Sequence, residues 1–430
     1  MLKRNIPLLA LKKFLFRELL PSLQFTGRWL LLAAGVGLLV GTASAFFLES
    51  LDWVTRYRET HRWIIGLLPL GGFFIGWMYH KYGAAVVKGN NQLLEEFYNP
   101  LRVIPLRMAP LVLAGTLLTH FFGGSAGREG TAVQMGGAIA DQFTKRFKLP
   151  VSDRKIILTV GVAAGFSSVF GTPLAGAIFA LEWLVIGRLR YESIVPAFFA
   201  AYLAHYACSG LWEVHHTAYF IPTVPEADVR SFLWVIPAGI CFGLAGRLFA
   251  KVTHFWTRLF SNHIAYPPLR PAIGGLVIAL LVYLMGTTKY IGLGIPTIVD
   301  AFSESLPSYD FLVKLMKTAI TLGSGFKGGE VTPLFYIGAT LGNALSMAIP
   351  LPVALLAGMG FVGVFSGATN TPLACTLMGI ELFGAESGLF IGLTCVIAYL
   401  FSGHSSIYRA QVIGSPKQQR SARHKGKRVG

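Results

Sequence analysis

Charged residues are scarce in this sequence. They make up 13% of its 430 residues, whereas soluble proteins carry about 25%. Acidic residues are scarcer than basic ones, with 20 Asp and Glu against 37 Lys and Arg. Too few charges are present to cover the surface of a soluble domain of this length, which points away from a soluble enzyme.

Cysteine and nucleotide-binding motifs are also nearly missing. The four cysteines lie in apolar segments without paired or metal-ligand spacing, and we expect small core residues at Cys208, Cys241, Cys375 and Cys395. The sequence contains no P-loop and no zinc-binding Cys/His spacing. It therefore predicts no ATP hydrolysis, no metal and no cofactor.

Long apolar runs, in contrast, recur along the whole chain. Hydrophobic residues make up 53% of it, and a helix needs about 20 mostly apolar residues to cross a bilayer. The runs cover residues 29–48, 63–78, 108–122, 156–186, 194–211, 232–249, 273–285, 335–365 and 373–401. With 49 Gly and 22 Pro, they predict an all-α polytopic membrane protein with broken helices around an enclosed cavity.

The net charge of +17 is unevenly placed. Basic residues crowd the N-terminus, the loop 141–155 and the C-terminal tail, whereas residues 209–229 contain no Lys or Arg. This asymmetry follows the positive-inside rule and predicts an inner-membrane protein with both termini cytoplasmic. We expect a disordered tail held near anionic lipid and no nucleic-acid partner.

Two parts of the chain repeat each other. Residues 161–182 align with residues 360–381, with 8 of 22 positions identical. Upstream, at an offset of 201 residues, Glu129 matches Glu330 and Thr131 matches Thr332. The hypothesis is a basic N-terminus (1–20), a first membrane repeat (21–205), an extracytoplasmic loop (206–230), a second repeat (231–410) and a basic tail (411–430).

Internal repeats are typical of secondary transporters, which bind substrate between their halves. The alignment leaves open whether these halves are parallel or inverted. Each matched glycine-rich turn precedes an apolar stretch, which predicts helix N-termini within the membrane. Such ends carry free N–H groups and a positive dipole, and therefore favour an anion as substrate.

The motifs "GREGTAVQMGG", "GGEVTPLF", "TPLAGAIFALE" and "TPLACTLMGIE" resemble those of the CLC family of chloride channels and anion/proton antiporters. The pattern is similar to the fluoride/proton antiporter branch on three grounds. "GNNQL" stands where the family has GSGIP, "GGEVTP" replaces GxFxP, and Trp183 follows Glu182 where chloride/proton antiporters carry a proton-transfer glutamate. The resemblance implies two inverted halves and a homodimer with one anion path per subunit.

The resemblance makes Glu129 the gate of this path. An ionised Glu129 would occupy the anion site at a helix N-terminus, and a protonated Glu129 would leave it, which couples proton and anion movement. A structural ion pair with Arg128 is the alternative. Glu330 would be a second acid that anchors the anion or handles protons, or else a structural hydrogen-bonding residue. Thr332 offers a hydroxyl donor, and Val331 lines the same turn.

Three more residues are candidates for binding the anion. Asn90 lies where the chloride branch has its coordinating serine, with Asn91 as the fallback, and a helix N-cap is the simpler explanation for either. Amide N–H groups suit fluoride, which needs dense donors to replace its water. Tyr408 lies where the family has a tyrosine whose hydroxyl donates to the anion; by itself it would suggest an anchor at the membrane interface.

Other interpretations remain open. A chloride antiporter or channel would keep the fold and change the ion. An intramembrane hydrolase would use Ser125 and His205. "GSGFKG" (323–328) matches a dinucleotide-binding pattern, but without a strand before it this is a chance match. The prediction is therefore a transporter rather than an enzyme, in contact with fluoride or chloride, protons and the lipid bilayer.

Overall fold

The computed structural model describes residues 17, 19–418 and 425–429. Its α-helices, labelled in chain order, are α1 (Leu20–Thr60), α2 (Leu68–Tyr82), α3 (Asn90–Tyr98), α4 (Met108–Phe122), α5 (Glu129–Arg146), α6 (Val151–Phe170), α7 (Pro173–Glu182), α8 (Ile194–His205), α9 (Val229–His263), α10 (Leu269–Met285), α11 (Ile295–Asp300), α12 (Asp310–Ser324), α13 (Val331–Leu345), α14 (Val353–Thr369), α15 (Pro372–Phe383) and α16 (Gly388–Phe401). Two short strands, β1 (Val185–Ile186) and β2 (Val412–Ile413), pair in parallel.

The helices differ widely in length. Among the residues that the structure describes, four helical segments are long and apolar enough to cross a membrane, namely Leu20–Thr60, Arg62–Tyr82, Tyr191–Leu211 and Val229–His263. Shorter apolar helices such as α4, α7 and α14 have only 10–17 residues. The expected all-α membrane fold with interrupted helices is confirmed.

At the start of the long α9, Asp228 accepts hydrogen bonds from Ser231, and these hold the pKa of Asp228 below its usual value.

The two halves of the chain are inverted relative to each other. Helix α7 and its equivalent α15 each carry a glutamate in their last turn that reaches the start of the other helix. The Glu182 carboxylate accepts from the N–H groups of Leu373 (3.1 Å) and Ala374 (2.9 Å). The Glu381 carboxylate accepts from Leu174 (2.9 Å) and Ala175 (2.8 Å). Because the C-terminus of each helix meets the N-terminus of its equivalent, the two run antiparallel.

The structure corrects the register of the repeat near Glu129. Helices α5 and α13 begin at Glu129 and Val331, and their N-caps are Arg128 and Glu330. Gly127 also pairs with Gly329 across the halves. These equivalences are shifted by 202 residues, not 201, so Glu330 corresponds to Arg128 and not to Glu129. The sequence alignment chose an offset of 201 residues because that offset places Glu129 opposite Glu330 and counts the two glutamates as identical.

Glycine allows the central helices to touch backbone to backbone. A methyl group on Gly136 of α5 would lie 2.2 Å from the Gly161 oxygen of α6. In the second half, a methyl group on Gly338 of α13 would lie 2.0 Å from the Gly360 oxygen of α14. Neither crossing leaves room for a side chain, which is how small residues allow helices to pack in membranes.

The C-terminal residues that are described are not disordered, contrary to the expectation. Residues 425–429 run beside β2, with hydrogen bonds from the Ile413 N–H to the Lys427 oxygen (3.0 Å) and from the Val429 N–H to the Gln411 oxygen (3.0 Å). The expected disorder of residues 419–424 falls outside the described residues. All four cysteines are free, and three of them are buried.

Candidate functional site

The glycine-rich turns of the two halves meet at the centre of the fold. Gly127 donates to the Gly329 oxygen at 2.6 Å, and Gly329 donates to the Gly127 oxygen at 2.8 Å. This short antiparallel bridge places the N-termini of α5 and α13 next to each other. Two positive dipole ends therefore face a single point.

The Glu129 carboxylate occupies that point. Glu129 is only 1% exposed, although it is ionisable and begins a helix. Thr332 donates its N–H to Oε2 at 3.0 Å, and the Thr332 hydroxyl lies 2.7 Å from both carboxylate oxygens. The Arg128 N–H adds a contact of 3.2 Å. The carboxylate of one half is therefore bound at the helix N-terminus of the other, in the manner of a bound anion.

Arg128 contacts Glu129 but does not neutralise it through an ideal ion pair. Its Nε lies 3.5 Å from Oε1 and makes no hydrogen bond within the described residues. Arg128 also lines a cavity of about 670 Å³ that reaches Val214 and Thr217 of the loop without Lys or Arg. The charged residues around this cavity are Glu49, Asp52, Arg56, Arg58, Glu59, Arg62, Arg128 and Lys289. Five of these residues are basic and three are acidic, so the lining carries an excess of positive charge.

Glu330 and Asn90 flank Gly130, one residue beyond Glu129. A methyl group on Gly130 would lie 3.1 Å from Asn90 Nδ2 and 3.5 Å from Glu330 Oε2. Helix α3 begins at Asn90 with Gly89 as its N-cap, and no side chain caps it. The N-cap explanation is therefore wrong for both asparagines. Glu330 Oε2 and Asn90 Oδ1 are buried atoms without a hydrogen-bond partner in the described chain.

Asn91 and Tyr408 are linked through the segment after α16. Asn91 Oδ1 accepts from the Ala410 N–H at 2.9 Å, so this oxygen anchors backbone two residues beyond Tyr408. The Tyr408 side chain is 3% exposed, and its ring packs edge-on against Trp183 at 5.3 Å. Tyr408 lies within electrostatic reach of both Glu129 and Glu330. The described structure therefore places it inside the protein, not at a membrane interface. The segments that carry Asn90, Glu129, Glu330 and Tyr408 therefore lie close together around the N-termini of α5 and α13.

Trp183 is fully buried beside the site. Its ring stacks with Phe179 at 5.8 Å, and its backbone oxygen accepts from Gln411 Nε2 at 2.7 Å. An apolar ring therefore occupies the place that the resemblance assigns to a proton-transfer glutamate. The neighbouring Glu182 is committed to the start of α15 and is not free to replace it.

Gln134 is a site residue that the sequence analysis missed. A methyl group on Gly89 would lie 3.0–3.2 Å from its side-chain amide, so Gln134 contacts the start of α3. Gly89 has a φ of +55°, which lets the chain turn tightly there. The signal was available, because Gln134 is the one polar side chain between Thr131 and Asp141 on α5.

Within the described residues, no hydrogen bond joins Ser125 to His205. The Ser125 hydroxyl shares a hydrogen bond with the Thr318 hydroxyl at 2.8 Å, whereas the His205 ring lies 5.9 Å from the His216 ring. Serine and histidine are therefore in separate surroundings. "GSGFKG" ends α12 and forms the turn before α13, so the element directly before it is a helix and not a strand.

Comparison with known proteins identifies families and structures that this chain resembles. Residues 71–403 match the family model described as voltage gated chloride channel. The chain is 51% identical over 416 residues to a "Chloride/fluoride channel protein" of Pseudomonas syringae pv. tomato, covering 95% of this chain and 92% of that protein.

Solved structures agree in fold. A CLC-type fluoride/proton antiporter superposes with a TM-score of 0.87 at 37% identity, covering 90% of this chain and 98% of that one. A slow cyanobacterial Cl⁻/H⁺ antiporter superposes with a TM-score of 0.77 at 21% identity, covering 87% and 94%, and this supports the fold alone. Together with two inverted halves whose helix N-termini enclose a carboxylate, these matches show that the chain belongs to the CLC family of voltage gated chloride channels.

Proposed function

We propose that this protein is a fluoride/proton antiporter that exports fluoride across the inner membrane. The observation that carries the proposal is the Glu129 carboxylate bound by the N–H and hydroxyl of Thr332. The relative at 51% identity is named for chloride and fluoride, and the structure at 37% identity is a fluoride/proton antiporter.

Competition for one site supplies the coupling. Ionised Glu129 takes the donors that an anion needs, so the path is closed while the carboxylate is bound. Protonation removes the charge that the two helix N-termini stabilise, and the side chain then leaves. Fluoride enters the vacated position between Thr332 and the backbone of α5. When fluoride moves on, Glu129 releases its proton and returns.

The surrounding groups suit a small, strongly hydrated anion. Asn90 supplies amide N–H donors, Tyr408 a phenolic donor, and Val331, 1% exposed, an apolar wall. Glu330, which lies beside Gly130, exchanges protons. Asn91 acts indirectly, because its oxygen holds the segment that carries Tyr408.

Ion flux from proteoliposomes tests the proposal. Vesicles loaded with fluoride are expected to release it while the interior takes up protons, and vesicles loaded with chloride are expected to release it far more slowly. Equal rates for the two ions would assign the protein to the chloride branch. Fluoride release without proton movement would make it a channel. "GNNQL" and "GGEVTP" favour fluoride.

Replacing the gate removes coupling. Glu129→Gln keeps the size of the side chain but removes its titration, so we expect fluoride movement, where it persists, to carry no protons. The assay is simultaneous recording of fluoride and pH in proteoliposomes. Glu59→Gln is the matched control, because Glu59 lines the cavity and is largely exposed. Fully coupled exchange in the Glu129→Gln protein would contradict the gate.

The protein is proposed to work as a homodimer with both termini in the cytoplasm. The distribution of basic residues supports this orientation, since residues 209–229 contain no Lys or Arg and three of them, Val214, His215 and Thr217, line the cavity beside Arg128. That cavity would then open away from the cytoplasm.

A further inference from the structure

Tyr408 lies on a stretch of chain that is neither helix nor strand. The stretch covers residues 402–411, all of them described, between the end of α16 and the start of β2. In a helix or a strand, regular backbone hydrogen bonds would fix the direction of the side chain. Here individual contacts do so, such as the bond of 3.0 Å from the Ile407 N–H to the Ala368 oxygen. The place of the phenolic hydroxyl therefore depends on the groups that hold this stretch.

Gln411 holds the far end of the stretch from a fully buried position. Its backbone N–H donates to the Tyr408 oxygen at 3.1 Å and closes a turn over residues 408–411. Its side-chain Nε2 donates to the Trp183 oxygen at 2.7 Å and to the Thr369 oxygen at 2.9 Å. Its Oε1 accepts from Asn370 Nδ2 at 3.2 Å. Both hydrogens and the oxygen of the buried amide therefore have partners.

The two carbonyl oxygens that Gln411 binds belong to helix ends, one in each half of the chain. Trp183 is the C-cap of α7 in the first half, and Thr369 is the last residue of α14 in the second. The last carbonyl groups of a helix have no partner within it and carry a partial negative charge. The amide of Gln411 therefore joins two helix ends from opposite halves to the stretch that carries Tyr408.

The rings of Trp183 and Tyr408 form a second link between the same segments. They pack edge-on with their centres 5.3 Å apart, and both side chains are buried. Gln411 binds the backbone of Trp183 on one side and closes the turn after Tyr408 on the other. A change in these hydrogen bonds would therefore move one ring relative to the other.

From these contacts we propose that Gln411 is a positioning residue that places the Tyr408 hydroxyl in the anion path. Without the amide, two buried carbonyl oxygens lose their donors, and the turn over residues 408–411 is no longer tied to α7 and α14. The Tyr408 hydroxyl then moves away from the anion, although Tyr408 itself is unchanged. This inference rests on the proposed function, in which Tyr408 donates to fluoride.

A double-mutant cycle with Tyr408→Phe tests the inference. Fluoride efflux from proteoliposomes is recorded over a range of fluoride concentrations, which gives the half-saturating concentration and the maximal rate separately. Gln411→Leu should raise the half-saturating concentration about tenfold, the scale of one hydrogen bond to a charged group. In the Tyr408→Phe protein, which lacks the hydroxyl, adding Gln411→Leu should raise it no further, because residues that act through each other are not additive.

Gln142→Leu is the matched control. Gln142 Nε2 also donates to two backbone oxygens, those of Ile104 and Ala138, both at 2.8 Å. Gln142 lies thirteen residues beyond Glu129 on α5, which is about 20 Å along the helix. We expect Gln142→Leu to lower the unfolding temperature in detergent and to leave the half-saturating fluoride concentration unchanged.

Three results would overturn the inference. They are an unchanged half-saturating concentration in Gln411→Leu, an equal rise in Gln142→Leu, and full additivity of Gln411→Leu with Tyr408→Phe. If Gln411→Leu does not fold, Gln411→Glu, which keeps the length of the side chain and loses at least one amide hydrogen, goes through the same cycle with the same expected outcome. A wild-type protein that does not exchange fluoride for protons would instead reject the proposed function itself.

Discussion

At the scale of the residue, Thr332 supplies two of the hydrogen-bond donors that hold the Glu129 carboxylate. Its hydroxyl and its N–H both bind the Glu129 carboxylate. The sequence suggested a donor here, and the residue is indeed a donor. Its partner is Glu129 of the opposite half, which no comparison of the halves by sequence indicates.

Removing that hydroxyl should weaken anion binding. A hydrogen bond to a charged group contributes about 1.5–3 kcal/mol, so we expect Thr332→Val to raise the half-saturating fluoride concentration about tenfold or more. Concentration-dependent flux in proteoliposomes measures it. Thr131→Val is the control, because the Thr131 hydroxyl bonds to Thr116 at 2.7 Å and not to a carboxylate. Similar half-saturation in both variants would argue against a direct role.

Arg154 shows that counting basic residues in a segment does not tell which of them lie at the surface. The sequence places it among the basic residues of the loop 141–155, but in the structure it is 5% exposed. Its guanidinium binds Asp141 at 2.7 and 2.8 Å and Glu96 at 3.1 Å. Charge counts do not distinguish a buried arginine from one near the lipid, because only tertiary packing places acids beside it.

At the scale of the element, helix boundaries near the site follow from local sequence. Gly123 and Gly325 end α4 and α12 with positive φ, at 93° and 109°, as expected of glycine at a helix C-terminus. The antiparallel pairing of α7 with α15 does not follow from local sequence. Glu182 and Glu381 each cap a helix 191 to 207 residues away in the chain.

A methyl group at a helix crossing should destabilise the fold. In Gly338→Ala the new carbon meets the Gly360 backbone oxygen at 2.0 Å, and α13 must move away from α14. We expect a loss of about 1–3 kcal/mol and a lower unfolding temperature in detergent. Gly27→Ala is the matched control, since nothing lies within 4 Å of its added carbon. Equal unfolding temperatures for the two variants would contradict the close crossing.

At the scale of the whole molecule, the opposite orientation of the two halves determines where the N-termini of α5 and α13 lie. Two halves pointing in opposite directions bring the N-termini of α5 and α13 to a single point at Gly127 and Gly329. Parallel halves would have placed their equivalent helices side by side in the same direction, and the two positive ends would not meet head on.

The proposed orientation predicts which residues face each side of the membrane. Glu226 and Ser152 are both exposed, and we expect Glu226→Cys to react with an impermeant maleimide from outside the cell and Ser152→Cys only after the membrane is opened. Cys241→Ser serves as the background, because Cys241 is the native cysteine that is not buried. The opposite labelling pattern would reverse the topology.

The sequence by itself determined the membrane class, the duplication and the residue types at the site, because apolar runs, internal identities and glycine-rich turns are local patterns. It did not determine the register of the repeat, its inversion or the partner of Glu129. Those depend on contacts between residues about 200 positions apart, such as Glu129 with Thr332. Only the tertiary structure brings the two helix ends together, and the meeting of those ends forms the place where the Glu129 carboxylate is bound.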